Sequence, residues 1–334
     1  MIGKSAAAAR RVSGMFRRLG VVLALSAGLM GWAHAVKAEP IVLATSKSGW
    51  LVWLAQEQGF FKRAGVDVKV ELVSSGVAAG AGVLDGKFDL ATMSEYAFAA
   101  RSFSNPDLRV VGTVAAISNV RLVGRRSAGI TTAKDLSGKT IGLRRGSIAQ
   151  FFLGRLLDLN GVLADSIQVA DAKPPELPEL LIQKKADAIV SWEPYAQQAE
   201  DAVGKDAVAL TVQGGQPYYF VLATKKDFVE RRAGDMERVI RALVQAADFS
   251  GASRESSIRI LSKRLGISTA TMERLWSDHV MDVSLSQDML SLMEDEAIWR
   301  VETGLSKGAV PNFLGFIHAD PLLAVDPTRV TIIR

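Results

Sequence analysis

Residues 136 to 147 read L-S-G-K-T-I-G-L-R-R-G-S, and an apolar, helix-like run follows at 148–159. A second stretch of the same kind, A-D-A-I-V-S-W-E-P-Y, occupies residues 186–195. Each is a short apolar strand that ends in a turn and opens into a helix. Such a junction directs free backbone N–H groups and the positive end of a helix dipole towards one point. Two of them predict a pocket for a small, charged molecule and favour capture over catalysis.

The first 38 residues have the composition of a secretory signal peptide. A basic segment, residues 4–18, precedes an apolar run at 19–32 that is too short for a comfortable membrane span. Small residues then offer cleavage after Ala35 or Ala38. A retained membrane anchor is the alternative interpretation. We expect cleavage and export, which would place the mature protein in the periplasm.

The net charge of the chain depends on this segment. The 334 residues contain 40 Lys and Arg against 35 Asp and Glu, a formal net charge of +5. Six of these bases and none of the acids lie in residues 1–38, so the remainder has 34 bases, 35 acids and a charge near −1. A nucleic-acid-binding function therefore loses its main support, and we expect no nucleic acid among the partners.

The chain contains no cysteine. An exported protein of this length must then be stabilised by its buried core rather than by disulfides. The cysteine that would carry a lipid anchor is also missing. We therefore expect a freely soluble, monomeric periplasmic protein.

Strand-like and helix-like segments alternate along most of the chain. The predicted strands are Ile41–Thr45, Val66–Leu72, Phe88–Thr92, Leu108–Val114, Val120–Gly124, Thr140–Leu143, Ile167–Ala170, Ala188–Ser191 and Tyr218–Thr224. The predicted helices are Leu51–Arg63, Val77–Leu84, Tyr96–Phe103, Ala149–Asn160 and Pro194–Ala202, with long helical runs at 235–264, 269–279 and 286–303. This alternation is typical of an α/β fold with mainly parallel sheets. A helical C-terminal tail follows it.

Two of the predicted strands are interpreted as crossings between lobes. The strand at 120–124 leads into a segment rich in turn residues, and the strand at 218–224 leads out of it. We therefore predict one lobe from residues 39–124 plus 218–334 and an inserted second lobe from residues 125–217. Two α/β lobes joined by a two-strand hinge make a clamshell that can close on a ligand.

Three further stretches accompany the two quoted above: S-K-S-G-W-L at 46–51, A-Q-E-Q-G-F-F-K-R-A-G-V-D-V at 55–68 and L-D-G-K-F-D-L-A-T at 84–92. In this order the set resembles the solute-binding proteins of ABC importers for nitrate, taurine and aliphatic sulfonates, a group that also includes pyrimidine-precursor binders. The resemblance implies a bilobed periplasmic-binding-protein fold of type II. It also implies a ligand held in the cleft and delivered to the membrane subunits of an ABC permease. Kinship of fold does not identify the ligand.

The turn after the first strand provides the candidate ligand contacts Ser46, Ser48, Gly49 and Trp50. The Ser48 hydroxyl and the N–H groups behind it suit an oxyanion, and Trp50 suits an apolar wall. A plain N-cap is the alternative role for Ser48. Ligands of open α/β sheets bind at strand ends, which favours the binding role.

Met93, Ser94 and Glu95 follow another predicted strand and are candidate contacts on the same grounds. Ser94 can cap the next helix and still face the cleft. Glu95 would repel an anion, so its binding role requires an amine on the ligand. Alternatively, Glu95 satisfies the dipole at the start of its helix and points to solvent. Both interpretations stay open at this point.

Gly146, Ser147, Ile148 and Ala149 form the strongest single candidate. Gly146 lets the backbone approach a ligand closely, and Ser147 can donate its hydroxyl beside the N–H groups of the next turn. An ordinary capped helix is the alternative. The resemblance to the solute-binding proteins, which includes residues 136–147, favours ligand contact.

The strand at 188–191 is followed by Trp192 and Glu193, and three further candidates lie beside the crossing strands. Trp192 could cover the ligand, and Glu193 could pair with an amine. Ser118, Asn119 and Tyr219 are expected at the rim of the cleft.

We predict no cofactor and no metal site. His279 and His318 are the only histidines after residue 38, and neither has a partner at metal-ligand spacing. The sequence also lacks a nucleophile elbow and a cysteine nucleophile.

These observations predict a binding protein rather than an enzyme. It would close over a small anionic or zwitterionic solute, such as an aliphatic sulfonate or taurine, and hand it to an ABC permease. One alternative is a periplasmic sensor that presents its ligand to a membrane receptor. Others are a binder of nitrate or of a pyrimidine precursor, and an enzyme of pyrimidine-precursor synthesis.

Overall fold

The computed structural model describes residues 39–333, so the signal-peptide prediction lies outside the described residues. The strands, in chain order, are β1 (Ile41–Thr45), β2 (Val68–Leu72), β3 (Leu90–Ser94), β4 (Leu108–Ile117), β5 (Val120–Arg125), β6 (Thr140–Leu143), β7 (Gln168–Asp171), β8 (Ala188–Trp192), β9 (Ala207–Thr211), β10 (Tyr218–Lys225) and β11 (His279–Val280). Over this described range, no helix has both the length and the apolar character needed to cross a membrane.

The α-helices fill the connections between the strands and most of the chain after β10. They are α1 (Trp50–Glu57), α2 (Phe60–Arg63), α3 (Gly76–Leu84), α4 (Glu95–Ser102), α5 (Ile148–Leu159), α6 (Leu177–Ile182), α7 (Tyr195–Val203), α8 (Lys226–Arg231), α9 (Ala233–Ala252), α10 (Arg254–Leu265), α11 (Thr269–Leu275), α12 (Gln287–Glu302) and α13 (Asp320–Val325). The predicted helical tail is confirmed.

The strands form two sheets of mixed direction. Sheet I has the order β11-β4-β10-β3-β1-β2, and sheet II has the order β7-β6-β8-β5-β9. Strand β1 is parallel to β2 and β3, and β6 is parallel to β7 and β8. Strand β10 runs antiparallel to β3 and β4, and β5 runs antiparallel to β8 and β9. The expectation of mainly parallel sheets was wrong, because β5 enters sheet II and β10 returns to sheet I against the direction of their neighbours.

The chain passes between the sheets twice. It leaves sheet I after Ile117 and enters sheet II at Val120, and it returns through residues 212–217. We call residues 120–211 the sheet-II part, and residues 39–117 with 218–333 the sheet-I part. The strand at 120–125 therefore belongs to sheet II. The lobe boundaries drawn from the sequence stay a prediction.

The nine predicted strands are all present, with ends that shift by at most three residues. The elements that were missed include β9, β11 and α6. Strand β9 lies at the edge of sheet II and is only partly buried. Strand β11 has two residues, which pair with the end of β4. The two residues of β11 are too few to show a periodic pattern, and the partly exposed β9 shows only a weak apolar pattern.

Gly76 fixes how closely α3 lies against sheet I. A Cβ at this position would stand 2.7 Å from the Cα of Met93 in β3. Since any larger residue would push the helix away from the strand, glycine allows the first turn of α3 to reach the end of β3. This contact brings the start of α3 to the site described next.

Candidate functional site

A small cavity lies where strands of both sheets end. Ser46 follows β1, Ser94 ends β3, Ser147 follows β6 and Trp192 ends β8. The complete lining consists of Ser46, Ser48, Gly76, Val77, Ser94, Ala97, Ser147, Ile148, Trp192, Tyr218 and Phe220. Six of these residues were predicted from the sequence.

The N-termini of four helices border the cavity. Ser48 stands two residues before α1, Gly76 begins α3, Ser94 is the N-cap of α4, and Ile148 begins α5. The first N–H groups of a helix have no partner within the helix and carry its positive dipole end. Four such ends around one cavity form an environment suited to a negatively charged group.

Ser48 carries the least satisfied hydroxyl in the lining. The residue is 4% exposed, and its Oγ makes no hydrogen bond with any described residue. The Tyr218 phenol is a neighbour of Ser48: burial raises the pKa of this phenol, and its interaction with the Ser48 hydroxyl acts in the opposite direction. A buried hydroxyl without a partner is unfavourable, and a ligand oxygen would remove that cost.

The other three serines keep different hydrogen-bonding capacities. Ser46 Oγ accepts from the Ser48 N–H at 3.3 Å, and Ser94 Oγ accepts from the Ala97 N–H at 3.2 Å. Both hydroxyls retain their proton for donation to a ligand. Ser147 Oγ instead donates to the Arg144 carbonyl oxygen at 2.6 Å. Next to Ser147, a ligand would therefore meet backbone N–H groups rather than the hydroxyl proton.

The two candidate tryptophans have different positions. Trp192 lines the cavity, as predicted. Trp50 lies away from it and stacks on His279, with ring centroids 4.0 Å apart and planes 9° apart. Burial lowers the pKa of His279 to about 3, so the imidazole stays neutral in this stack. Trp50 therefore belongs to the core behind the turn.

Glu95 is fully buried but does not line the cavity. Its Oε1 accepts a 2.8 Å hydrogen bond from the Tyr219 N–H, and its Oε2 accepts from the Tyr96 N–H at 3.3 Å. Burial raises the pKa of Glu95 to about 8. The carboxyl of Glu296, also fully buried, is electrostatically coupled to it and has its pKa raised by the same cause. The Glu95 carboxyl thus holds two backbone groups of the sheet-I part.

Glu193 is also engaged within the protein. Its Oε1 pairs with Arg121 at 2.6 Å, and its Oε2 accepts from the Gln197 N–H at 3.0 Å. Glu193 is 5% exposed and absent from the lining. With both oxygens satisfied, its carboxylate anchors the start of α7 to β5.

The remaining candidates surround the cavity without lining it. Gly146 has a positive φ of 70° and donates its N–H to Gln150 Oε1 at 2.7 Å, so it shapes the turn before α5. A Cβ at Gly49 would overlap the Thr45 side chain, which makes that glycine a packing requirement. The others absent from the lining are Met93, Ser118, Asn119, Ala149 and Tyr219.

Five lining residues were missed by the sequence reasoning. Tyr218 and Phe220 face the cavity, whereas Tyr219 between them does not, because alternate strand residues point to opposite faces. The sequence shows that alternation but not which face of β10 is turned to the cavity. Gly76, Val77 and Ala97 lie in first helical turns, directly beside or behind predicted helix starts.

The lining contains neither a charged side chain nor a histidine. In the part of the chain from 39 to 333, no group of three or more His, Cys, Asp or Glu is arranged to hold a metal ion. The cavity therefore presents hydroxyls, helix N-termini and apolar side chains. The dipoles of these hydroxyls and helix N-termini can bind and orient an anion.

Comparison with known proteins adds a family and a fold. A family model described as NMT1/THI5 like matches residues 50–255. A protein of Escherichia coli K12, provisionally named an aliphatic sulfonates-binding protein, is 28% identical over 154 residues, which is 45% of this chain and 46% of the relative.

Two solved structures share the architecture. The alkanesulfonate-binding protein SsuA of Xanthomonas axonopodis pv. citri, bound to MOPS, superposes with a TM-score of 0.75 at 19% identity, covering 84% of this chain and 99% of that chain. A mutant of DSZB in complex with biphenyl-2-sulfinic acid superposes with a TM-score of 0.66 at 17% identity, covering 86% of this chain and 99% of that chain. The predicted bilobed periplasmic-binding-protein fold is confirmed. At these identities the likeness establishes the fold alone.

Proposed function

The chain belongs to the NMT1/THI5-like family, and from this we propose that it is the substrate-binding component of an ABC importer for a small organic sulfonate. The ligand would occupy the cavity between the sheet-I and sheet-II parts. Residues of both parts line that cavity, so a bound ligand would favour the closed arrangement. Membrane subunits of a permease would then receive the closed, loaded, monomeric protein.

The observation that carries the proposal is the free Ser48 hydroxyl among four helix N-termini. A sulfonate has three oxygens that accept hydrogen bonds in different directions, and it stays ionised at any physiological pH. Ser46, Ser48 and Ser94 can each donate to it, and the starts of α3 and α5 add backbone N–H groups. Trp192, Phe220, Val77 and Ile148 supply an apolar wall for a short carbon body.

The names of similar proteins point in the same direction. A relative carries an aliphatic sulfonate name, and a protein of the same fold is an alkanesulfonate binder. The fold alone does not exclude catalysis, since a desulfurization enzyme, DSZB, shares it. The lining of this cavity offers neither a histidine, a carboxylate nor a cysteine as base or nucleophile, which supports binding over reaction.

Export is part of the proposal. The signal-peptide pattern of residues 1–38 implies cleavage after Ala35 or Ala38. The intact mass of the protein purified from the periplasmic fraction tests this directly. A mass that includes residues 1–35 would contradict export by cleavage.

The ligand is tested by calorimetric titration and thermal shift with alkanesulfonates, taurine, nitrate, bicarbonate and pyrimidine precursors. A ligand present at 100 times its Kd stabilises the folded protein by about 2.7 kcal/mol. We expect the response to be confined to sulfonates. A response only to nitrate or a pyrimidine precursor would overturn the ligand class while leaving the transport role.

A sensor role is the second candidate, because a ligand-loaded protein of this fold could equally contact a membrane receptor. Uptake of a labelled alkanesulfonate by cells with and without this protein distinguishes the two. Loss of uptake on deletion supports the importer. Unchanged uptake, with binding intact, supports the sensor.

A further inference from the structure

Arg101 does not line the cavity but donates hydrogen bonds to two residues that do. Its Nη2 donates to the Val77 carbonyl oxygen at 2.6 Å, and its Nη1 donates to the Ala97 carbonyl oxygen at 2.7 Å. Val77 and Ala97 both line the cavity, in the first turns of α3 and α4. The guanidinium therefore connects the two helix starts that a ligand would touch.

The position of the guanidinium is shaped by its surroundings. A Cβ at Gly80 would stand 2.9 Å from Arg101 Nε, so the absence of a side chain at Gly80 makes room for the arginine head. With both terminal nitrogens hydrogen-bonded and its Nε against α3, the head group is fixed in place. A fixed charge needs no rearrangement when a ligand enters.

Arg101 has no ion-pair partner among the carboxylates of residues 39–333. Burial lowers its pKa to about 10, and the neighbouring charges of Arg144 and Arg300 act on the pKa in the same direction. The group is still a cation at neutral pH. An unpaired, partly buried cation is unfavourable until a negative charge arrives nearby.

The cavity has no side-chain charge that could balance a ligand. Glu95 is held by two backbone N–H groups, and Glu193 is paired with Arg121. An ammonium group in the cavity would thus find no carboxylate, and it would face helix N-termini and the arginine behind them. Desolvating an ammonium without a partner is strongly unfavourable.

We propose that Arg101 is the counter-charge of the bound anion, acting through the Val77 and Ala97 carbonyls, and that the site consequently selects monoanions without an ammonium group. This assignment rests on the proposed sulfonate-binding function. Arg101 is a positioning residue, since it does not line the cavity. Alkanesulfonates are accepted, and aminoalkanesulfonates such as taurine are rejected.

The test compares two ligands that differ by one amine: 1-propanesulfonate and 3-amino-1-propanesulfonate. Their affinities are measured by titration or competition for the full-length purified protein and its variants. We expect the wild type to bind 1-propanesulfonate about 100-fold more tightly than 3-amino-1-propanesulfonate. In Arg101→Met, the affinity for propanesulfonate falls about 10- to 100-fold and the affinity ratio of the two ligands collapses towards one.

Arg101→Lys keeps the positive charge but cannot donate to both the Val77 and the Ala97 carbonyl oxygens. It should therefore retain most of the affinity ratio of the two ligands. If Arg101→Met does not fold, Arg101→Gln removes the charge and keeps one carbonyl contact, and it should also collapse the ratio. Equal weakening of both ligands at an unchanged ratio would mean a purely structural role and overturn the assignment. So would equal wild-type affinity for the two ligands.

The outcomes separate this assignment from the function beneath it. If the wild type binds propanesulfonate and Arg101→Met binds it equally well, sulfonate binding stands and the arginine assignment falls. If the wild type binds no sulfonate, the proposed function falls and takes the assignment with it.

Discussion

The Oε1 atom of Gln213 accepts a 2.7 Å hydrogen bond from the backbone N–H of Val120, which ties the return crossing between the sheets to the outward one. The Nε2 atom of the same side chain donates to the Ile117 carbonyl oxygen at 3.1 Å and to the Gln216 carbonyl oxygen at 2.8 Å. One buried amide thus satisfies three backbone groups at the connection between the two parts.

Replacing Gln213 should destabilise this connection. In Gln213→Met the side chain keeps its size but leaves three backbone groups without their partner, at a cost of about 2–4 kcal/mol in the free energy of unfolding. Urea denaturation measures it. Gln183→Met, at an exposed glutamine that follows α6, is the matched control and should change stability by less than about 0.5 kcal/mol. Equal effects of the two variants would contradict a special role for Gln213.

Gly154 should affect how closely the sheet-I and sheet-II parts approach each other when a ligand binds. The Trp299 ring of α12 covers Gly154 of α5, and the rings of Phe151 and Trp299 meet edge to face at 5.3 Å. This contact joins the sheet-II part to the sheet-I part. A Cβ in Gly154→Ala would overlap the ring, so we expect ligand affinity to fall about tenfold because tightly packed surfaces do not accommodate an extra methyl group.

The control for that variant is Gly251→Ala, at a helical glycine with open space around its missing Cβ. It should leave affinity unchanged. The double variant Gly154→Ala with Trp299→Ala removes the overlap and should recover part of the lost affinity. Unchanged affinity in Gly154→Ala would show that this contact does not oppose closure.

Two buried serines should separate binding from stability. Ser48→Ala removes a hydroxyl without a protein partner, so it should lower ligand affinity about tenfold and change the free energy of unfolding little. Ser75 accepts from the Ala78 N–H as the cap of α3 and does not line the cavity. Ser75→Ala should cost about 1 kcal/mol of stability and leave affinity nearly unchanged. The reverse pattern would place the ligand elsewhere.

Glu95 should make the protein less stable as pH rises. The pKa of its carboxyl is raised in the folded state from 4.5 to about 8, so between these values the unfolded chain loses the proton that the folded protein keeps. Stability contributed by the protonated form is complete below about pH 4.5 and lost progressively towards pH 8. Glu95→Gln should reduce this slope, while the part that comes from the raised pKa of Glu296 remains, and it should be more stable than wild type at pH 8 by about 2–4 kcal/mol. Parallel stability curves from pH 5 to pH 8 would contradict the raised pKa.

The sequence was most informative where periodicity is strong. The strand 140–143 and the opening of α5 were predicted within one residue, and the four serines that line the cavity were all found by their position after strand ends. A hydroxyl residue between a strand and a helix reports both the local geometry and the place of a site. These signals are local, so no knowledge of tertiary packing was needed.

Orientation and long-range charge could not be obtained in this way. Tyr219 was predicted at the cavity, whereas Tyr218 lines it. The alternation of side chains along a strand does not reveal which face of the strand meets the cavity. Trp50 was placed at the ligand because it follows the turn after the first strand. The sequence could not show that its stacking partner is His279, which lies far away in the chain. Arg101 looks like an ordinary helical arginine until the fold brings the Val77 carbonyl to it. All three depend on contacts between distant segments.

The indole of Trp192 forms part of the cavity wall, whereas Trp50, Trp53, Trp276 and Trp299 do not line it. A molecule that fills the cavity must displace water from that ring and bring an anionic group close to it. Both events alter the energy and yield of indole emission. The protein therefore carries an intrinsic optical reporter of occupancy, and a fluorescence titration of unlabelled protein, repeated with Trp192→Phe, can screen for the natural solute without any chemical modification.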